Sequence, residues 1–131
     1  SLPAGKMVHD LLQSLRAILT SAQRLQRMDG LAAEAATQAD SIVHAARRQE
    51  ELLRAIAEFD HAAENAHARQ DTLVPLDMAL QIARLGVETA RVAAGGGIDV
   101  ATMPGGDVSQ VASKVLEKVL HNGKAVLPRF A

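Results

Sequence analysis

The chain contains no cysteine, no tryptophan and no tyrosine, and two phenylalanines supply all of its aromatic content. Without a thiol there is no disulfide, no cysteine nucleophile and no cysteine-ligated zinc, which fits a reducing, cytoplasmic setting. No apolar run approaches the roughly 18 residues of a membrane span. The start Ser1-Leu2-Pro3-Ala4-Gly5-Lys6 also lacks the apolar stretch of a signal peptide, so the chain reads as soluble, with no membrane segment. Excess charge of one sign is missing too: 14 basic residues face 15 acidic ones, scattered along the row, for a net charge of -1. Such a chain has no electrostatic footprint for a nucleic acid or an anionic membrane surface.

What is present is small and apolar. Of the 131 residues, 48% are apolar, and alanine carries much of that share. This length holds one domain, or one and a fragment, and an alanine-rich composition implies thin cores between closely approaching helices. A partner chain is expected to complete the burial.

Glycine and proline divide the chain unevenly. Residues 6 to 29 and 31 to 74 hold neither, whereas Pro75, Gly86, Gly95 to Gly97, Pro104, Gly105 and Gly106 crowd the remainder, so the character changes near residue 72. In the first stretch Val8, Leu11, Leu12, Leu15, Ile18, Leu19, Ala22 and Leu25 recur at three- and four-residue steps, a helical stripe ended by Met28-Asp29-Gly30. The second stretch repeats the pattern with Ile42, Ala45, Gln49, Leu52, Ile56, Phe59 and Ala63, spaced as in a bundle seam. A short turn between two long helices predicts an antiparallel hairpin, and two hairpins pair into a four-helix bundle. Beyond it, Val74-Pro75-Leu76-Asp77 opens a third helix through about Ala94, and Ile98-Asp99-Val100-Ala101-Thr102 alternates as a short strand. Asp107 is placed to cap a last helix through roughly His121. The predicted fold is therefore mainly α: residues 1–71 as a hairpin dimerising into a four-helix bundle, then a partial α/β segment, helix-strand-helix, over 72–131.

Chemistry concentrates on the first helix, in Val8-His9-Asp10-Leu11-Leu12-Gln13-Ser14-Leu15-Arg16. His9 lies off the apolar stripe, with Gln13 and Arg16 following on its face at i+4 and i+7. Asp10 sits about 100° further round the helix. Taken alone, a histidine on a polar helix face is an ordinary surface residue. Joined to a carboxylate it has the minimum equipment for accepting a phosphoryl group: the carboxylate orients the ring and takes its proton, and the free nitrogen attacks in line. Gln13, one turn on, is placed to hold a water against the same phosphorus.

His9-Asp10-Leu11 with Leu15-Arg16-Ala17-Ile18 resembles the phosphoacceptor box of sensor histidine kinases, especially the bacteriophytochrome-like type. The segment from Ile42 to Asp60, with Arg47-Arg48 ahead of Leu52-Leu53, looks like that family's second dimerisation helix. Val74-Pro75-Leu76-Asp77 with Ala79-Leu80 looks like the entry into its ATP-binding domain. Ile98-Asp99-Val100, Met103-Pro104 and Gly106-Asp107 with Gln110-Val111 and Val115-Leu116 then resemble the strand and helix leading to its asparagine box.

The resemblance implies two-component signal transduction. His9 would be the acceptor, Asp10 the acid/base carboxylate and Gln13 the phosphatase side chain. Asn122 would be the residue holding magnesium beside the ATP phosphates. It also implies a homodimer and, as partner, the receiver domain of a response regulator. Departures are visible: Ser14 replaces the usual proline after the acceptor, Lys118 stands in place of the first asparagine of the box, and Gly123 replaces a small helix former. The glycine-rich nucleotide boxes are not among these residues, and Gly95-Gly96-Gly97 lacks the Lys-Ser/Thr of a phosphate-cradling loop. ATP and magnesium thus belong to the family, and autonomous ATP-dependent autophosphorylation is not expected of this chain. It reads as a histidine kinase fragment with an incomplete or degenerate ATP-binding segment, or as a histidine phosphotransferase of similar build.

The alternative is a non-catalytic helical-bundle scaffold. His44, His61, His67 and His121 offer no tight metal spacing. Arg47-Arg48 followed by Glu50-Glu51 reads as a receiver-docking patch or as intrahelical ion pairs.

Overall fold

The structure is a computed structural model that describes residues 4–68 and 73–107. Three helices account for most of it: α1 (Ala4–Gln26), α2 (Ala33–Ala68) and α3 (Leu73–Gly95), followed by a single 3-10 turn at Val100–Thr102. The main-chain class is as the periodicity predicts, mainly α with a long second helix. At a rise of about 1.5 Å per residue α2 is about 54 Å long, enough to serve as the spine on which both shorter helices lie.

The first helix buries Val8, Leu15 and Ala22, one residue every two turns, with Leu11, Leu12 and Leu19 half-buried beside them. It closes by tightening: Arg27 N–H donates to Arg24 O at 3.1 Å and Met28 N–H to Leu25 O at 3.2 Å, i to i−3 bonds that satisfy carbonyls a helix end leaves open. The chain then reverses through Gly30, and across the reversal Gln26 Nε2 donates to Asp40 Oδ1 at 2.8 Å. The two helices form a hairpin.

The spine carries more than the single seam expected of it. Besides Ala45, Gln49, Leu52, Ile56 and Phe59, the structure buries Ala39, Val43, Ala46 and Leu53. Adjacent residues project about 100° apart, so buried pairs such as Ala45-Ala46 and Leu52-Leu53 mark an apolar arc too wide for one neighbour. It serves two. Val8 and Leu15 of α1 and Ala79 and Ile82 of α3 meet Ala46, Leu52, Leu53, Ile56 and Phe59 in one core.

The third helix starts and stops where expected. Pro75 stands in its first turn, where a missing N–H costs nothing. Its buried residues Ala79, Ile82, Gly86, Thr89 and Ala93 are mostly small, which brings the helix close to α2. Thr89 Oγ1 donates to Leu85 O at 2.7 Å and lies 3.4 Å from Arg48 O on the spine. The end is a Schellman motif: Ile98 N–H donates to Ala93 O at 2.8 Å and Gly97 N–H to Ala94 O at 3.0 Å, with Gly97 at φ +73.

The expected strand at 98–102 is not formed. Asp99 instead caps the 3-10 turn, its Oδ1 accepting from Ala101 N–H at 3.1 Å and its carbonyl from Thr102 N–H at 3.0 Å. Alternating residues need a neighbouring strand to pair with, and none exists among the described residues. A carboxylate that accepts local N–H groups then wins over an unpaired ladder. The α/β character expected of 72–131 is therefore absent through residue 107. The helix expected from Asp107 to His121 lies outside the described residues.

Candidate functional site

Burial of Val8, Leu15 and Ala22 turns the opposite face of α1 outward, and His9, Asp10, Gln13, Ser14 and Arg16 are all exposed on it. The helix runs unbroken through Ser14, where a proline would remove an N–H and promote a kink. His9 and Gln13, four residues apart, meet directly: Gln13 Nε2 lies 3.2 Å from His9 Nε2. In the ring tautomer protonated on Nδ1, the amide N–H donates to the Nε2 lone pair. An unprotonated ring nitrogen can attack an electrophile once the amide swings off its lone pair, and the freed amide can then hold a water or a phosphoryl oxygen.

The other predicted members are placed differently. Asp10 is exposed and, among the described residues, makes no hydrogen bond to the imidazole, whose partner is Gln13. Asn122 and Lys118 lie outside the described residues. On the spine, the basic and acidic cluster forms ion pairs along the helix: Arg48 with Glu51 at 3.3 Å and Arg54 with Glu50 at 2.9 Å. At such exposure each contributes only about 0.3–0.5 kcal/mol. Arg47, His44 and His61 are exposed. Among the described residues there is no cluster of three histidine, aspartate or glutamate side chains fit to hold a metal.

A second feature lies further along the same hairpin. About two turns beyond His9, Ala17, Ile18, Ser21, Ala22 and Leu25 of α1 and Ile42 of α2 line an open, almost wholly apolar groove of ≈ 310 Å³. Ile18 and Leu25 are each 39% exposed. They are large side chains of the predicted stripe that this chain by itself leaves in contact with water.

One of the seam positions on the spine is polar. Gln49 is fully buried on the spine, and its Nε2 donates to Pro104 O at 3.1 Å and also to Gly105 O. The signal available in the sequence is a lone amide in an otherwise apolar stripe. Such an amide must find a partner, though its spacing does not say which.

Compared with protein-family models, curated proteins and solved structures, the chain matched none.

Proposed function

We propose that this chain is a phosphoryl carrier of two-component signalling. His9 Nε2 accepts a phosphoryl group from a histidine kinase and passes it to the aspartate of a response-regulator receiver domain. The observation that carries this reading is the exposed His9–Gln13 pair, with the side-chain amide 3.2 Å from the ring Nε2. On acceptance a P–N bond forms as the bond from phosphorus to the donor breaks. On transfer the P–N bond breaks and the aspartate oxygen takes the phosphorus. Gln13 holds a water in line when hydrolysis competes, and Asp10 supplies a neighbouring carboxylate for proton traffic. Neither step uses a nucleotide on this chain, and Asn122, which the family resemblance assigns to magnesium and ATP, has no part in them.

The carrier works as a homodimer in which two α1–α2 hairpins close a four-helix bundle over Ile18, Leu25 and Ile42. Exposed apolar residues along the hairpin support that assembly. A compartment holding both kinase and receiver, the cytoplasm, fits the absence of cysteine.

The same exposed residues favour a second reading, a helical dimerisation scaffold without chemistry. Incubation with a histidine kinase, ATP and a receiver separates the two. The carrier acquires an acid-labile, base-stable phosphoryl mark that His9→Ala abolishes. Failure to label across several kinases, with partner binding unchanged in His9→Ala and Gln13→Ala, leaves the scaffold.

A further inference from the structure

The segment after α3 does not trail away from the hairpin. It folds back between α1 and α2, and Gly105 marks the place: a Cβ there would lie 2.9 Å from Leu53 Cδ2, 3.1 Å from Gln49 Nε2 and 3.4 Å from Leu11 Cδ1. Leu53 and Gln49 belong to the spine, and Leu11 belongs to the first helix, two residues from His9. Val100 and Met103 of the same segment pack, half-buried, against the common core. Residues 98–106 are thus held to the spine through Gln49 and lie beside Leu11 at the end of the hairpin that carries His9.

Their attachment is of an unusual kind. Backbone hydrogen bonds within the segment are local: Thr102 N–H to Asp99 O, Met103 N–H to Val100 O at 3.1 Å, and Gly106 N–H to Met103 O at 2.8 Å. The polar link to the hairpin is the Gln49 amide. Its Nε2 serves two carbonyls, while its buried Oε1 has no hydrogen-bond partner among the described residues. The two bonds from Nε2 hold the segment, and the unsatisfied Oε1 offsets part of their contribution, so the link is a weak one. Apolar anchoring is modest, since the two side chains that help hold the segment are only partly covered. Few buried contacts and a compromised polar link are the marks of a unit that opens below the global unfolding free energy.

We propose that residues 98–106 are a releasable strap, latched by Gln49, that clamps the His9-bearing end of α1 onto the spine. Seated, the strap fixes the turns of α1 around Leu11. Released, it frees them while α2 and α3 stay packed. The clamp does not depend on what His9 carries, so its test and that of phosphoryl transfer fail separately.

Native-state hydrogen exchange of the full chain, resolved by residue, tests it. The amides of Thr102, Met103 and Gly106 are expected to exchange as one group, about 100-fold or more faster than Ile56 in the spine. Gly105→Ala, strained at φ +69 and crowded by Leu53, is expected to speed that group and the α1 amides from Leu12 to Leu15 by about tenfold, leaving Ile56 and Ile82 unchanged. Where Gly105→Ala does not fold, Gln49→Met keeps the volume, removes the latch and is expected to give the same separation. Strap amides that exchange only together with Ile56 in the unaltered chain would overturn the proposal. So would α1 amides that do not respond when the strap is loosened.

Discussion

Gln13 holds its side-chain amide 3.2 Å from the Nε2 of His9, one helical turn away on the exposed face of α1. The pair follows from a four-residue spacing and needs no tertiary contact to form. Its consequence is chemical: any group that Nε2 takes up arrives beside a side chain able to orient water.

In the phosphoryl-carrier reading, Gln13→Ala leaves acceptance on His9 intact and slows loss of the mark to water. Positioned water or proton transfer contributes about 10²–10⁴-fold in general. An amide that only positions water belongs at the low end, so the phosphorylated form should persist about tenfold longer or more. Decay of the isolated, labelled protein at neutral pH gives the answer, and an unchanged lifetime removes Gln13 from the proposed hydrolysis.

Dimerisation through the hairpin makes a prediction at Ile18 and Leu25. The unaltered chain should weigh as a dimer by light scattering at micromolar concentration, and the double variant Ile18→Asp with Leu25→Asp should weigh as a monomer. Both positions face the groove rather than the core, so far-ultraviolet circular dichroism of the variant should keep its helical signal. A monomeric unaltered chain contradicts the four-helix bundle.

The core depends on few large side chains, which makes each one costly to lose. Phe59 is 1% exposed and Leu15 likewise 1%. Phe59→Ala should destabilise the fold by about 3–5 kcal/mol and Leu15→Ala by about 2–5 kcal/mol. Urea unfolding followed by circular dichroism measures both. Losses under 1 kcal/mol would mean that these residues do not share a packed core.

Two glycines at the end of α3 should respond in opposite ways. Gly97 has φ +73 in the Schellman motif, and Gly97→Ala should cost about 1–2 kcal/mol. A Cβ on Gly95 meets nothing within 4 Å and φ there is not positive, so Gly95→Ala should stabilise by up to about 1 kcal/mol. Thermal melts of the two variants side by side check the sign of each effect.

Much of the helical plan was legible because it rests on local rules. Three- and four-residue spacing located α1, the glycine-free run located α2, and Pro75 with Gly95 to Gly97 bracketed α3. The exposed face of His9, Gln13 and Arg16 followed from the same periodicity. Two features escaped it. The second buried stripe of α2 was hidden because alanines such as Ala39 and Ala46 look alike on a solvated face and on a packed one. The strand expected from Ile98 to Thr102 was a fair reading of alternation, but alternation states only that a segment has two faces. Asp99, with a carboxylate able to accept Ala101 N–H, settled the segment as a turn where the described residues offer no partner strand.

The sequence by itself therefore determined three helices, the bounds of α3 and the outward face of α1, since each depends on contacts within a few residues. Tertiary structure alone decided that α2 is shared between two neighbours, that Gln49 reaches Pro104 across 55 residues, and that a side chain at Gly105 would crowd Leu53 and meet Leu11. Long-range contacts of this kind arise when surfaces made by separate helices come to fit one another, and no local period encodes that fit.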